Sequence, residues 1–207
     1  METERNIAPF QGIFSSHGID IQYIQSENYS LKIKAKAKLS DQIETIVESG
    51  ILKISWRNKW TGFLKAKFLK QSAVVAYISA PVLNEIDLSV GVDFYAGKIH
   101  SEGRLTVKVR NGSGLKAGKI AADQILLRVS QSSGITIKSL KATIVEIENA
   151  TDSDVACRNI ETDSLKLRAS GYSDTKLSGV TRQLRIDVKD NSDTDTCELK
   201  YNKQVRF

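Results

Sequence analysis

The sequence predicts an all-β protein, most of it a right-handed parallel β-helix. Three observations predict this: a tandem repeat of about twenty residues, strict apolar alternation ahead of each repeat's turn, and a chain rich in Val, Ile, Leu, Thr and Ser with only two prolines and one methionine. Six segments carry the repeat: VGVDFYAGKI, NGSGLKAGKI, QSSGITIKSL, TDSDVACRNI, GYSDTKLSGV and DNSDTDTCEL. An Asp or Gly anchors each one, at Asp93, Gly114, Gly134, Asp154, Asp174 and Asp193, with spacings of 21, 20, 20, 20 and 19 residues. Six residues past each anchor stands an aliphatic: Ile99, Ile120, Leu140, Ile160, Val180 and Leu199.

Ahead of each anchor, alternate residues form an inward set, since successive side chains of a strand point to opposite faces. These sets are Ile86 and Leu88; Leu105, Val107 and Val109; Ile125, Leu127 and Val129; Val145, Ile147 and Asn149; Leu165, Leu167 and Ala169; and Leu184, Ile186 and Val188. One unit cannot bury its apolar face alone, so the units must stack and place like residues in ladders. Six rungs at ~4.8 Å each would span about 29 Å. Handedness follows from the right-handed preference of parallel β crossovers; the six-residue period of left-handed solenoids is absent. Asn149, in an aliphatic slot, must find hydrogen bonds in the core. Thr175, Thr194 and Thr196 make the last rungs more polar, a taper toward a capping end that YNKQVRF covers.

The first eighty residues lack the repeat yet read as β, with alternation at Ile19, Ile21 and Tyr23 and at Leu31, Ile33 and Ala35. IETIVESGILKISW reads as a hairpin turning at Ser49 and Gly50. The alternative for LSDQIETIVES is a short helix with Ser40 as N-cap and Glu44 in its first turn. No Pro/Gly/Ser linker separates AVVAYISAP from the first rung. One domain over residues 1–207 is therefore expected: a β-rich part over 1–80 that extends or caps the helix, repeat coils over 82–200 and a tail over 201–207.

At 207 residues and 41% hydrophobic, the chain can bury a substantial core. No apolar run approaches the ~18 residues of a membrane span, and the opening METERNIAPF is too polar for a signal peptide. Cys157 and Cys197 are forty residues apart, about two rungs, beyond disulfide reach, and free thiols are expected, Cys157 inward and Cys197 outward. The net charge of +6 is local. No acidic residue falls between Gly50 and Asn84, a stretch that holds Lys53, Arg57, Lys59, Lys65, Lys67 and Lys70.

Two groups of residues are candidate sites. Stacked carboxylates at Asp154, Asp174 and Asp193 are hard oxygen ligands suited to a metal ion or a glycan. Carboxylates ~4.8 Å apart repel by about 0.9 kcal/mol in water and about 3.5 at an effective dielectric of 20, so the column must be exposed or neutralised. Its structural reading is a corner that needs left-handed geometry or an Asx turn, as Gly114 and Gly134 suggest. The second candidate, WRNKWTGFLKAKF, interleaves Trp56, Trp60 and Phe63 with Arg57, Lys59, Lys65 and Lys67. It suits a platform for stacking sugars or a patch for anionic glycans, lipid headgroups or nucleic acid, or else a hairpin whose aromatics pack on the core and whose lysines protect an edge. With His17 and His100 the only histidines and no phosphate-binding glycine loop, no catalytic apparatus, cofactor or nucleic-acid site is expected. The one enzymatic arrangement worth testing sets Asp154 and Asp174 beside the outward-facing Arg128 or Arg168, as in a lyase or hydrolase groove.

The blocks FQGIFSSHGIDIQYIQ, IETIVESGILKIS and AYISAPVL, followed by a ladder of SGSD-like turns, resemble the autotransporter-adhesin head domain family, also called the head GIN domain. The order of these blocks carries the resemblance over roughly residues 7 to 200. It implies a pectin-lyase-like β-helix of Bacteroidetes-type bacteria, exported to the periplasm or cell surface, with a role in adhesion and no assigned catalytic residues. Val90, Gly91 and Val92 in the first turn and Tyr172 in the fifth depart from the family's usual Gly-Ser-Asp. The expected function is thus a non-enzymatic binding or adhesion module for a glycan or protein partner. The alternatives are a pectin-lyase-like carbohydrate-active enzyme and a structural domain that self-associates.

Overall fold

A computed structural model describes residues 1–58 and 74–206. The chain opens with β1 (Glu2–Glu4), then makes a first pass around the core with β2 (Gly12–Ser16) and β3 (Ile19–Gln25). It continues through β4 (Ser30–Lys34), a one-turn helix α1 (Ala37–Ser40) and the pair β5 (Ile43–Glu48) and β6 (Ile51–Trp56). After β7 (Val74–Ala80) come β8 (Glu85–Ser89), β9 (Asp93–His100), β10 (Arg104–Arg110), β11 (Gly114–Ala121) and β12 (Gln124–Ser130). The long strands β13 (Gly134–Ala150), β14 (Asp154–Ser170) and β15 (Asp174–Val188) follow, then β16 (Asp193–Asp195) and β17 (Leu199–Arg206). All of these strands join one sheet.

The sheet folds into two parallel ladders around the core. The first face stacks β6, β2, β8, β10, β12 and the second halves of β13, β14 and β15. The second stacks β7, β3, β9, β11 and the first halves of the same long strands, ending on β16. This is the parallel β-helix the repeat predicts, and the anchors fall in register as expected: Asp93 opposite Gly114, Gly114 opposite Gly134, then Asp154, Asp174 and Asp193. The inward residues of the repeats are buried almost throughout.

Four sequence expectations need correction. First, residues 12–25 form a full rung with the same corner as the repeats, and this rung lies between β6–β7 and β8–β9. The N-terminal part therefore extends the helix as well as capping it. The cap is antiparallel: β5 on β6, β4 on β7 and β1 on β4, with Leu39 of α1 buried beneath. The hairpin reading of IETIVESGILKISW holds, with Ser49 and Gly50 at φ 51 and 75, and Ser40 ends α1 rather than starting a helix.

Second, the left-handed residues are not the anchors. Each corner is a consecutive left-handed pair: His17–Gly18, Val90–Gly91, Asn111–Gly112, Gln131–Ser132, Thr151–Asp152, Gly171–Tyr172 and Asp190–Asn191. The anchor two residues later begins the next strand. Within this stack the second residue's N–H donates to the carbonyl of the first residue one rung on, as in Gly91 to Asn111, Gly112 to Gln131 and Ser132 to Thr151. That satisfies backbone groups the sharp bend would otherwise leave unpaired.

Third, Gly179 rather than Val180 fills the fifth aliphatic slot. A bulge between Cys157 and Ile160 sets Ile160 opposite Gly179 and Gly179 opposite Leu199, and leaves Val180 55% exposed. Fourth, Val188, expected inward, is 36% exposed at the open end; the C-terminal residues cover the edge of β15 as expected, as a final parallel strand, β17.

Beside each corner runs a buried serine ladder that the sequence reading did not anticipate. Ser113 Oγ accepts from Val92 N at 3.2 Å, Ser133 Oγ from Ser113 N at 3.3 Å and Ser153 Oγ from Ser133 N at 3.2 Å. The ladder breaks at Ser173, whose hydroxyl donates to the Asn149 carbonyl at 3.1 Å. The Asn149 side-chain NH2 donates to Asp174 O at 2.8 Å and Thr175 Oγ1 at 3.0 Å, while its Oδ1 is buried with no partner among the described residues.

Two stability predictions follow from these contacts. Gly179 has φ +130, and a Cβ there would collide with the Ile160 backbone. Gly179→Ala is expected to cost about 3 kcal/mol, while Gly97→Ala, with nothing near its added carbon, should leave the urea midpoint almost unchanged. Ser153→Ala strips the partner from the buried Ser133 N–H and should lower unfolding free energy by about 1–3 kcal/mol, read by the same denaturation; an unchanged midpoint would show the ladder to be incidental.

Candidate functional site: grooves on the two outer faces

The outward side chains of each face form columns across the rungs. On the first face one column runs Asp87, Lys108, Arg128, Glu148, Arg168 and Asp187. Neighbouring rungs join these columns by ion pairs. Lys108 Nζ meets Glu85 Oε1 at 2.9 Å, Arg110 Nη2 meets both Asp87 oxygens at 2.9 Å, and Arg128 Nε meets Glu148 Oε2 at 2.7 Å. Arg168 Nη1 reaches the same Glu148 at 3.4 Å. Burial pushes the Asp87 carboxyl up, against the pull of Arg110 and Lys108.

Arg128 and Arg168 are thus both engaged with Glu148 on the first face, while Asp154 and Asp174 open strands of the second. The structure does not gather these four into the acid–base cluster of the enzymatic arrangement. Nor do Asp154, Asp174 and Asp193 gather as a metal site: among the described residues no three His, Cys, Asp or Glu side chains group closely enough to hold an ion. The three are stacked in register and exposed, and Asp193 Oδ1 accepts from Thr194 N at 2.8 Å. Cys157 is buried, its thiol pushed up to about 12 by burial, and Cys197 is exposed; both are free.

Of the basic aromatic segment, Trp56 and Arg57 are described; Lys59, Trp60, Phe63, Lys65 and Lys67 lie outside the described residues. Trp56 is 2% exposed and its Nε1 donates to the His17 carbonyl at 2.9 Å. It therefore packs in the core under the first corner and offers no ring face to a ligand, which corrects its expected role as a stacking platform. Arg57 is exposed at the end of β6, its backbone N–H bonded to Gln42 O at 2.8 Å.

Grooves cross both faces. On the second, Gly114 and Gly134 stand where other rungs place Asp, and this opens a depression of about 460 Å³ bordered by Asp154, Asp174, Lys116 and Lys176. On the first, a groove of about 480 Å³ is lined by Gln11, Asn84, Arg104, Lys108, Leu126 and Arg128, among others. Sequence reasoning named Arg128 and Lys108 only as outward-facing. It missed the groove, because Gln11 comes with the inserted first rung, which the sequence did not place beside Asn84 and Arg104.

The acidic column also extends further than the repeats suggested. Asp93 N donates to Asp20 Oδ1 at 2.9 Å. Burial raises the Asp20 pKa, the Asp93 N–H lowers it and the Asp93 charge raises it again. A carboxyl raised in the fold binds its proton more tightly there than in the unfolded chain, so its contribution to stability falls as pH climbs above the ordinary carboxylate range. Asp20→Asn keeps an acceptor for Asp93 N–H without the charge. It should raise the melting temperature at pH 7, by less than about 1 kcal/mol for a partly exposed group, with the gain shrinking as pH falls toward 4; a gain that grew with acid would refute this.

A parallel solenoid with ion-paired outer faces and open grooves places the protein among β-helices of pectin-lyase-like shape. The chain belongs to the family described as "Putative auto-transporter adhesin, head GIN domain", whose model matches residues 9–139 and 126–205. No curated protein matches it. Among solved structures it is similar to a putative adhesin from Bacteroides fragilis, at a TM-score of 0.72 and 12% identity, covering 100% of this chain and 95% of that one. It is also similar to a putative adhesin from Parabacteroides merdae, at 0.62 and 13%, covering 99% and 95%. A protein from Parabacteroides distasonis named a putative lipid binding protein matches at 0.61 and 15%, covering 99% and 96%. At these identities the likeness is one of fold. No described helix is long and apolar enough to cross a membrane.

Proposed function

We propose that this chain is a non-enzymatic binding or adhesion module of the cell surface or periplasm, which takes a glycan or protein partner on its outer faces. The observation that carries the reading is the pinned array of charged side chains on the first face, open to solvent and grooved: it suits recognition of an extended partner better than enclosure of a reaction. Membership in a family described by auto-transporter adhesins, and neighbours named as adhesins, support the envelope placement. Arg57 leads into Lys59, Trp60, Lys65 and Lys67, and that segment is proposed to add to the binding surface through its cations and Trp60.

A glycan and envelope-extract binding screen with the full chain, alongside a Lys59→Ala/Lys65→Ala/Lys67→Ala variant, tests this. Saturable binding to a glycan or a protein is expected, weakened at least several-fold in the variant toward anionic ligands. Turnover of an acidic polysaccharide that disappears in Asp154→Asn/Asp174→Asn would instead make the protein an enzyme. Mass that grows with protein concentration, with no foreign ligand bound, would make it an assembly domain.

A further inference from the structure

We infer that the groove on the first face is a site for an anionic saccharide, a stretch of polysaccharide bearing carboxylate or sulfate groups; this rests on the binding-module reading and names its ligand class. The groove exists because one outward column carries short or apolar side chains on either side of a single charged one, Glu85, whose carboxylate is bonded by Lys108 Nζ at 2.9 Å. Ile51, Gly12, Glu85, Thr106 and Leu126 follow one another across the rungs. Gly12 contributes no side chain, and the Ile51 Cδ1 leans into the space a Cβ would take. Leu126 points outward yet is only 4% exposed, between Thr106 and Glu146 in its column. The floor is thus short and partly apolar, and the walls are long and charged.

The charge pattern asks for an anion here. Along the adjoining column the signs run minus, plus, plus, minus, plus, minus from Asp87 to Asp187. Lys108 and Arg128 are the like-charged neighbours in that run, directly opposite each other on adjacent parallel strands, an arrangement that is unfavourable unless something negative lies between or above. Both line the groove. Their protein partners do not close the account: Lys108 meets Glu85, while Arg128 must share Glu148 with Arg168. Arg104, exposed at the other end of β10, makes no ion pair among the described residues and lines the same groove.

Arg104 and Lys108 lie four residues apart on one strand, about 13 Å. A single small anion cannot meet both, but a chain with repeated charges can. Gln11 and Asn84 place amide groups on the wall, suited to hydroxyls between those charges. Among the described residues no aromatic side chain lines the groove, which disfavours nucleobases, whose affinity comes largely from stacking. The strands beneath the groove also have partners on both sides, so an acidic peptide could not gain affinity by adding a strand.

The test titrates the full chain with polygalacturonate, dextran sulfate, neutral dextran and poly-glutamate at low and moderate salt. Two variants accompany it. Arg104→Glu removes no ion pair among the described residues, and Thr106→Arg fills the groove without altering the core. Expected is salt-sensitive binding of polygalacturonate, dextran sulfate or both, no binding of dextran, and at least a tenfold loss in each variant with melting temperature unchanged. Which polymer binds tells carboxylate from sulfate recognition. Equal binding of dextran, no binding of either anionic polysaccharide, or affinity indifferent to both variants would overturn the proposal. Poly-glutamate bound as tightly with the same Arg104 dependence would give the groove to acidic peptides instead. Loss of anionic-polysaccharide binding in the Lys59→Ala/Lys65→Ala/Lys67→Ala variant of the binding screen, with neither groove variant affected, would place the anion site elsewhere. Either of these last two results, or binding of other ligands in the broader screen, would leave the adhesion reading standing while this assignment fell.

Discussion

The structure depends on one constraint: every rung must turn at the same place, through two consecutive left-handed residues. Left-handed backbone is costly for residues with a Cβ, by roughly 1–2 kcal/mol each, and here it falls on Val90, Gln131, Thr151 and Tyr172 as well as on Gly and Asn. The bend is held because its backbone N–H groups bond directly to the corner of the next rung. Once the corners are stacked, register is no longer free. A slip of one residue would turn every inward side chain outward, so the same corners that align Leu105, Ile125, Val145 and Leu165 in the core also align the outward columns.

That alignment changes what surface charge means in this protein. Exposed ion pairs such as Arg128–Glu148 or Lys141–Glu161 each contribute little to stability, on the order of 0–1 kcal/mol. Their effect is geometric, because partners about twenty residues apart in sequence stand opposite each other on adjacent strands. Long, flexible side chains are thereby held in a lattice, and a partner meets a surface whose charges are already placed. On the second face the acidic column does the reverse: Asp20 sits half-buried beside Asp93, and the glycines at 114 and 134 then interrupt the run of carboxylates before Asp154 and Asp174 resume it.

How much of this was legible in the sequence follows the physics of each element. Period-two alternation and a twenty-residue spacing act over many copies, so the rungs, their anchors and nearly all inward residues could be read. Residues 12–25 could not be, because that rung stands alone in sequence, with Ile19 where most repeats carry serine, and its spatial neighbours come from later segments. Val180 was misplaced because the rung is one residue short between Leu177 and Gly179, and the 19-residue spacing from Asp174 to Asp193 records the missing residue without saying where in the rung it falls. The anchors were credited with left-handed geometry because Gly and Asp favour it, whereas the bend sits two and three residues earlier. Trp56 was ambiguous in principle: a tryptophan beside arginines and lysines reads as a surface platform until the His17 carbonyl is found at its indole nitrogen. The groove on the first face was not legible, since its walls come from residues 11, 84, 104, 108 and 128, which have no shared motif.

The insertion of the first rung sets the form of the whole N-terminal end. A solenoid whose turns follow chain order can in principle grow one turn at a time. Here β2 and β3 are laid down first but are flanked on both sides by strands that come later, β6 and β7 on one side and β8 and β9 on the other. Those contacts span tens of residues and close large loops before they stabilise anything, the kind of pairing that slows folding. In return, the parallel ladder ends on a rung whose free edges are taken by antiparallel strands, β5 on one face and β4 with β1 on the other. An antiparallel strand of this kind cannot continue the rung geometry, because its corners run the wrong way. It therefore limits the length of the faces and places the first-face groove, with Gln11 from the inserted rung in its wall, close to the capped end rather than midway along a ladder of identical turns.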